Sequence, residues 1–283
     1  MKLRALYEEA KDRLTTAGVP EPEIDAGLLL EHCCGVSRHD LILRGEEEPS
    51  DAAQEKLRRL TDKRCERIPL QHLLGSTCFM GLDFLVNEHV LCPRPDTEIL
   101  TEEALRCLSD GFRILDLCTG SGCILLSLLH YSNDCTGTGV DLSPEALDVA
   151  RRNAEVLLPD AAERVRFLQG DLWEGIGGER FEIIVSNPPY IPTADLATLM
   201  PEVRDHEPHL ALDGGPDGLA FYRRIVRSAP DHLVGGGMLL LEIGYDQGTA
   251  VTDMMLAAGF LDVEIVKDYG GNDRVVKGRK SAL

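Results

Sequence analysis

The chain has 283 residues and a formal net charge of −19, with 29 Lys and Arg against 48 Asp and Glu. Apolar residues make up 43% of it, so it can bury a core without disulfide or metal staples. The deficit of basic residues disfavours a protein that binds the phosphates of nucleic acid. Residues 1–80 carry a net charge of −3 and residues 81–283 of −16. A basic partner would be steered toward the second segment, unless the charge serves solubility alone.

The first 74 residues have helical periodicity and no strand signal. Apolar residues recur at three- and four-residue spacing from Leu3 to Leu14, and further helices are predicted over residues 24–34 and 51–67. Gly35 is placed to end the second helix. We therefore predict a small helical bundle over residues 1–74. In residues 75–92 apolar residues alternate around turn residues, which predicts a β-hairpin linker.

Strands and helices alternate in the remaining residues, 93–283. Proline and acidic residues at 93–98 announce a helix that runs to about residue 108. Further helices are predicted over 123–130, 143–156 and 247–258, and strands over 113–117, 136–140, 165–169, 181–186, 238–243, 263–267 and 274–277. Residues 268–273 are too few for a crossover helix, so the last two strands are predicted to be antiparallel. The pattern indicates an α/β domain with a seven-stranded, mostly parallel sheet.

A glycine-rich loop follows the first strand of this sheet and opens a helix. It contains Asp116, Cys118, Thr119, Gly120, Ser121 and Gly122. Glycines allow close approach to a ligand, and the helix N-terminus offers free N–H groups. Asp141 ends the second strand, where a carboxylate can bind ribose hydroxyls, and Asp171 follows the third, near the adenine position. Three such groups at successive strand ends indicate a nucleoside cofactor. NAD and S-adenosylmethionine both satisfy them, and an antiparallel last strand favours S-adenosylmethionine.

The fourth strand runs directly into the most specific motif of the chain, Asn187-Pro188-Pro189-Tyr190. The two prolines fix the backbone and remove two N–H donors, which leaves carbonyl oxygens free to accept. Asn187 and Pro188 supply acceptors and Tyr190 a flat aromatic face, a combination that suits a planar NH₂ group. Such a nitrogen is a poor nucleophile, so its positioning in line with a methyl donor is the expected source of rate.

At these residues the sequence resembles methyltransferases that act on exocyclic or amide nitrogen. Three further stretches are similar to the peptide chain release factor glutamine methyltransferases (the HemK/PrmC family): residues 69–75, 93–98 and 207–219. The resemblance covers nearly the whole chain. It implies a class I methyltransferase domain and methylation of the glutamine in the Gly-Gly-Gln motif of bacterial class I release factors. The bundle would recognise that substrate.

The resemblance also implies which residues contact each ligand. Cofactor contacts map to the 118–122 loop, Asp141, Leu172 and Asn187, and substrate contacts map to Asn187, Pro188 and Tyr190. The chain departs from the family in two places. Cys118 stands where the loop has its first glycine, and Leu172 stands where some members have an aromatic residue, which leaves adenine stacking by Trp173 in doubt.

Other candidates carry weaker signals. Phe79 is predicted to form an apolar wall of the substrate pocket or else part of the core, and Arg94 to hold a substrate carboxylate or else lie at the surface. Pro208 lies between His206 and His209, so we expect no metal site there. The open alternatives are a glutamine methyltransferase of a ribosomal protein and a nucleic-acid amino-methyltransferase that uses the same motif.

The nine cysteines are scattered and contain no C-x-x-C pair, which disfavours zinc ribbons and thioredoxin-type sites. Free thiols suit a reducing cytoplasm. No apolar run approaches the roughly 20 residues that span a bilayer. We expect a cytoplasmic, monomeric enzyme with no membrane or nucleic-acid partner.

Overall fold

The computed structural model describes residues 1–159 and 162–282. Its helices are α1 Leu3–Thr16, α2 Pro22–Cys34, α3 Leu41–Arg44, α4 Asp51–Cys65, α5 Leu70–Leu74, α6 Pro95–Cys107, α7 Cys123–His130, α8 Pro144–Leu157, α9 Pro201–His206, α10 Ala220–His232 and α11 Gly248–Ala257. Its strands are β1 Ser76–Phe79, β2 Leu82–Leu85, β3 Arg113–Leu117, β4 Thr136–Asp141, β5 Val165–Gln169, β6 Phe181–Ser186, β7 Leu233–Glu242, β8 Leu261–Lys267 and β9 Asp273–Arg279.

The chain forms two compact units. The first contains residues 1–76 and 200–206, and the second contains residues 77–199 and 207–282. None of the described helices is both long enough and apolar enough to cross a membrane.

The first unit is a helical bundle around α1, α2 and α4. Its core is made of apolar side chains from each helix, among them Leu6, Leu29 and Leu57. Gly35 ends α2 in the left-handed conformation (φ 65°), as the sequence predicted. Helix α9 joins this unit through Glu202, which binds Arg67 at 2.6 Å and Arg64 at 3.0 Å.

The second unit is built on a seven-stranded sheet in the order β5-β4-β3-β6-β7-β9-β8. Strands β3 to β7 run parallel, and β9 lies antiparallel between β7 and β8. The prediction of a seven-stranded Rossmann-like sheet with an antiparallel last strand, preceded by a helical bundle, is confirmed. Strands β1 and β2 form a separate two-stranded sheet within residues 75–92.

Side chains on the central strands alternate between two apolar cores, one on each face of the sheet. Ile183 and Val185 of β6 belong to the core that α6 and α7 cover, whereas Ile184 belongs to the core that α10 and α11 cover. Both faces are therefore buried, and the strands end at one polar edge.

Local sequence explains where helix α8 begins. Ser143 caps α8, where its hydroxyl accepts a hydrogen bond from the Ala146 N–H at 3.1 Å, and Pro144 occupies the first turn. Helix α10 is an element for which the sequence pattern gave no prediction, and it contains Pro230 near its C-terminal end.

Candidate active site

The candidate site lies where the chain order of the sheet reverses. From β3 the chain goes outward to β4 and β5 on one side, and β6 and β7 lie on the other. Strands β3 and β6 are neighbours, with Leu117 paired to Ser186 at their ends. The glycine-rich loop and the Asn187–Tyr190 motif therefore leave adjacent strands at the same edge, which is the usual ligand site of an open α/β sheet.

A cavity of about 180 Å³ opens at this edge. The predicted site residues that line it are Arg94, Cys118, Thr119, Gly120, Ser121, Asp141, Asp171, Leu172, Asn187 and Pro189. The predicted residues that lie outside its lining are Phe79, Asp116, Gly122, Pro188 and Tyr190. The structure thus brings ten of the predicted residues to one cavity and leaves five outside its lining.

The glycine-rich loop is held from behind by Asp116. This carboxylate is fully buried and accepts a hydrogen bond from the Thr119 hydroxyl at 2.6 Å. Burial raises the pKa of Asp116 to about 7, and the Thr119 hydrogen bond opposes that rise. The Thr119 N–H in turn donates to the Val140 carbonyl at 3.0 Å. Asp116 therefore shapes the loop from the core side of the wall.

Three loop residues adopt left-handed backbone conformations, Cys118 at φ 62°, Gly120 at φ 55° and Gly122 at φ 79°. A Cβ on Gly120 would meet no atom within 4 Å, so this backbone faces open space. Cys118 carries a side chain, and a left-handed conformation costs a non-glycine residue about 1–2 kcal/mol. Burial raises the pKa of its thiol, which disfavours the reactive thiolate.

Asp141 faces the cavity with both carboxylate oxygens anchored to the backbone. Its Oδ2 accepts from the Gly120 N–H at 2.8 Å and its Oδ1 from the Ser143 N–H at 3.0 Å. Burial raises the pKa of Asp141, and these backbone donors oppose the rise. Each oxygen keeps further acceptor capacity, so the carboxylate can bind two neighbouring hydroxyls of a ribose.

At the end of the cavity predicted to bind adenine, Asp171 is paired with an arginine. Arg224 of α10 lines the cavity and lies 2.8 Å from the Asp171 carboxylate. Leu172 is buried and lines the cavity with a left-handed backbone (φ 57°). Trp173 stacks on the His232 ring, with centroids 4.6 Å apart and planes 10° apart, and lies outside the cavity lining. Of these two neighbours of Asp171, Leu172 offers an apolar surface to the cavity and Trp173 does not.

Asn187 lines the cavity at the end of β6. Its Nδ2 donates to the Thr97 hydroxyl oxygen at 3.3 Å. Thr97 sits in the first turn of α6, is 3% exposed, and lines the same cavity. The Ser186 hydroxyl donates to the Leu117 carbonyl at 2.6 Å and locks β6 to β3 just before the motif. With its amide nitrogen bonded to Thr97, Asn187 has its Oδ1 available as an acceptor.

The backbone of Tyr190 is fixed by a buried glutamine. The Gln247 Nε2 donates to the Tyr190 carbonyl at 2.9 Å and to the Gly218 carbonyl at 3.3 Å. Its Oε1 accepts from the Gly244 N–H at 2.9 Å and from the Tyr222 hydroxyl at 3.3 Å. Gln247 therefore joins the loops at Tyr190, Gly218 and Gly244 to helix α10 and holds the backbone of the motif in place.

Of the predicted substrate residues Arg94 and Phe79, only Arg94 lies in the cavity lining. Arg94 lines the cavity, and its Nη2 binds both oxygens of the buried Glu207 carboxylate at 2.8 and 2.9 Å. Phe79 is 1% exposed and packs edge-on against Phe84 in the core, with centroids 6.0 Å apart. Of its two predicted alternatives, the structure therefore places Phe79 in the core.

Sequence reasoning missed five residues that support the site: Thr97, Glu207, Arg224, Glu242 and Gln247. Thr97 and Glu207 lie inside stretches that carried the family resemblance, and the other three had no local signal. Within residues 1–159 and 162–282, no three His, Cys, Asp or Glu side chains are grouped so that they could hold a metal ion. The nine cysteines, all among the described residues, are free thiols.

The sheet order, the antiparallel β9 and the cavity between the β3 and β6 loops define a Rossmann-like methyltransferase. A family model described as the PrmC N-terminal domain matches residues 5–75, and one described as the methyltransferase small domain matches residues 96–206. The crystal structure of a methyltransferase from Pyrococcus furiosus superposes with a TM-score of 0.56 at 20% identity, covering 78% of this chain and 99% of that one. At this identity the likeness shows the fold alone.

Curated relatives identify the family. A release factor glutamine methyltransferase of Caulobacter vibrioides is 45% identical over 279 residues, which cover 98% of this chain and 96% of that protein. One of Moorella thermoacetica is 45% identical over 277 residues, which cover 97% of each. The chain belongs to the release factor glutamine methyltransferase family. Membership in a methyltransferase family implies S-adenosylmethionine as the methyl donor, and the cavity with Asp141 and the glycine-rich loop suits its nucleoside.

Proposed function

We propose that this protein transfers a methyl group from S-adenosylmethionine to the side-chain amide nitrogen of the glutamine in the Gly-Gly-Gln motif of bacterial class I release factors, which tunes translation termination. The observation that carries the proposal is the placement of Asn187. Its side chain lines the same cavity as the glycine-rich loop, while its amide nitrogen is bonded to Thr97. An acceptor for a substrate NH₂ group is therefore held beside the cofactor residues.

Acceptors around the substrate nitrogen are the main contribution of the motif. The Asn187 Oδ1 and the Pro188 carbonyl would each accept one N–H of the glutamine amide, and the Tyr190 ring would limit its plane. Two acceptors fix the nitrogen in one orientation and favour its pyramidal form, in which the lone pair is free to react. Pro189 lines the cavity and has no N–H that could compete for these acceptors.

The residues proposed to hold the cofactor divide by their chemistry. Asp141 would bind the ribose hydroxyls, Leu172 and Asp171 would contact the adenine, and the loop from Cys118 to Gly122 would hold the methionine end. When bound, S-adenosylmethionine supplies an electrophilic methyl group on a sulfonium. We assign this chemistry to residues 93–283, recognition of the protein substrate to residues 1–74 and a linker role to residues 75–92.

Charge supports a protein partner over nucleic acid. The segment from residue 81 onward carries a net charge of −16, which repels phosphates and attracts a basic protein surface. The names of the curated relatives support a release factor in particular. A ribosomal protein glutamine and an exocyclic amino group of a nucleic acid present the same planar NH₂ group, so both belong among the substrates tested.

Methyl transfer from labelled S-adenosylmethionine tests the proposal. The substrates are a class I release factor, the same factor with its Gly-Gly-Gln glutamine changed to Ala, total ribosomal protein, and tRNA with DNA. We expect label on the native release factor alone. Equal label on both release factors, or label confined to ribosomal protein or nucleic acid, would overturn the proposal.

Two enzyme variants provide the matched comparison. Asn187→Ala removes the acceptor and should lower kcat by on the order of a hundredfold, the scale measured when one oriented hydrogen bond at a reacting centre is removed. Asn133→Ala changes an exposed asparagine before β4, away from the cavity lining, and should keep the wild-type rate. Equal rates for the two variants would refute the role given to Asn187.

A further inference from the structure

A buried carboxyl group lies behind the proposed acceptor residue. Glu242 is the last residue of β7 and is 2% exposed. The side chains of Thr97 and Asn187 both act as hydrogen-bonding groups toward its carboxyl. Glu242 does not line the cavity, so its contact with the site runs through these two residues.

Asn187, Thr97 and Glu242 form one group of polar side chains beside the cavity, in which Asn187 and Glu242 follow paired residues of β6 and β7. Asn187 donates through Nδ2 to the Thr97 oxygen at 3.3 Å, and the Thr97 hydroxyl has one hydrogen of its own to donate. Thr97 and Asn187 line the cavity, whereas Glu242 is buried and lies outside the cavity lining. Each member therefore constrains what its neighbour can donate or accept.

The direction of the hydrogen bonds in this group follows from the carboxylate of Glu242. An ionised carboxylate only accepts, so the Thr97 hydroxyl must donate to Glu242. Having used its one hydrogen, Thr97 can only accept from Asn187. Asn187 must then turn its NH₂ group to Thr97 and its Oδ1 to the cavity. Without the carboxylate, the two amide orientations of Asn187 would compete, and one of them presents a donor to the substrate NH₂ group.

We propose that Glu242 is a positioning residue that acts on Asn187, both directly and through Thr97, to hold the Asn187 amide with its oxygen toward the substrate. The inference rests on the proposed function, because only a substrate that donates N–H needs an acceptor there. Glu242 itself touches neither substrate nor cofactor in this account.

The surroundings of Glu242 show that it is not placed there for stability. Its Oε2 has no hydrogen-bond partner within residues 1–159 and 162–282. Burial is the largest influence on its pKa, which rises to about 7, and the positive charge of Arg274 only partly opposes it. A buried carboxyl group that lacks part of its hydrogen bonds destabilises a fold, so an uncharged side chain at position 242 should stabilise the protein.

Substitutions of Thr97 test whether its hydroxyl helps to orient the Asn187 amide. Thr97→Val keeps the shape and removes the hydroxyl, so kcat on the release factor should fall roughly tenfold or more as the amide orientation is released. Thr97→Ser keeps the hydroxyl and should restore most of that loss. Thr252→Val is the control, since the Thr252 hydroxyl is buried and has no hydrogen-bond partner among the described residues. It should leave kcat unchanged.

Glu242→Gln separates positioning from structural support. A glutamine can donate to Thr97, so the direction of the hydrogen bonds at Thr97 and Asn187 is no longer fixed. We therefore expect kcat to fall roughly tenfold again. KM for the release factor and the affinity for S-adenosylhomocysteine should stay within about twofold of wild type. The melting temperature at about pH 8 should rise, because a buried charge has been removed. Lower activity in a more stable protein excludes damage to the fold.

The pH dependence of kcat provides a further readout. Protonation lets the carboxyl donate, so wild-type kcat should fall as the pH drops through about 7, the pKa to which burial raises Glu242. The charged or titratable groups that influence this carboxyl, or are influenced by it, are Asp96, Cys123, Tyr190, Tyr222 and Arg274. Because Glu242→Gln keeps all of them, it should remove this acid limb.

Each outcome bears on one of the two proposals. If wild-type protein does not methylate the release factor, the proposed function fails before any variant is made. If wild type is active but Thr97→Val or Glu242→Gln keeps wild-type kcat, the positioning role is refuted. A loss expressed only in KM or in cofactor affinity, with kcat unchanged, refutes it as well.

Discussion

The contact between Gly218 and the motif is close enough for a single methyl group to test it. Gly218 has φ +71°, and a Cβ there would lie 2.4 Å from the Tyr190 carbonyl oxygen and 2.7 Å from the Gln247 Nε2. Gly218→Ala must therefore displace the Tyr190 backbone or the Gln247 side chain. Gly177 is the matched control: its φ is +63°, and an added Cβ would meet no atom within 4 Å.

Both substitutions place an alanine in a left-handed conformation, but only Gly218→Ala also displaces a hydrogen-bonded group. A left-handed alanine costs about 1–2 kcal/mol at either position. At Gly218 the displacement also breaks the hydrogen bond of 2.9 Å between Gln247 and Tyr190, and a buried polar group left without a partner costs about 1–3 kcal/mol. We expect Gly177→Ala to lower the free energy of unfolding by about 1–2 kcal/mol, and Gly218→Ala by about 2–5 kcal/mol.

Urea unfolding and release factor methylation measure the two consequences. Gly177→Ala should keep wild-type kcat, whereas Gly218→Ala should lower it, because a shift of the Tyr190 backbone moves the proposed substrate residues next to it. Equal unfolding free energies for the two variants would show that Gly218 does not press on the motif. Wild-type kcat in a destabilised Gly218→Ala would refute the view that this contact positions Tyr190.

Three further predictions concern charge. Burial raises the pKa of Glu242 from 4.5 to about 7, so the folded state holds this proton more tightly than the unfolded state; that stabilisation is complete below about pH 4.5 and is lost as the pH rises through about 7. Asp116, whose pKa burial also raises to about 7, adds a loss over the same pH range; Glu242→Gln should therefore reduce the total loss seen in urea unfolding by up to about 3 kcal/mol, and an unchanged pH slope in the variant would contradict it. Asp141→Asn replaces one acceptor with a donor facing the N–H of Gly120 or Ser143, so calorimetry should show at least about tenfold weaker S-adenosylhomocysteine binding; wild-type affinity would remove Asp141 from the cofactor site. KM for the release factor should rise with ionic strength if the charge of −16 attracts it, and a salt-independent KM would leave that charge to solubility.

The sequence predicted the sheet well because its strands carry strong local signals. The run Phe181–Ser186 is apolar on both faces, as a central strand between two helical layers must be, and it ends directly at the motif. The short interval before β9 excluded a crossover helix, which made the antiparallel strand predictable. No element was predicted where helix α10 lies, although α10 packs on β7 in the folded chain.

The supporting residues of the site were not predictable in the same way. Thr97 and Asn187 are 90 positions apart, and Gln247 is 57 positions from Tyr190. Neither Thr97 nor Gln247 stands in a pattern that names its partner, so only the folded chain brings the pairs together. The apolar alternation around Phe79 did not distinguish a pocket wall from a core position, because both bury the same face.

The most direct test of the central claim is to locate the methyl group. Tandem mass spectrometry of a release factor treated with this enzyme and S-adenosylmethionine assigns the modified residue, and NMR of the isolated peptide assigns the modified atom. We expect one methyl group, on the side-chain amide nitrogen of the Gly-Gly-Gln glutamine, and an initial rate about a hundredfold lower when the enzyme carries Asn187→Ala. A methyl group on any other residue, or an unchanged rate with that variant, would contradict the account.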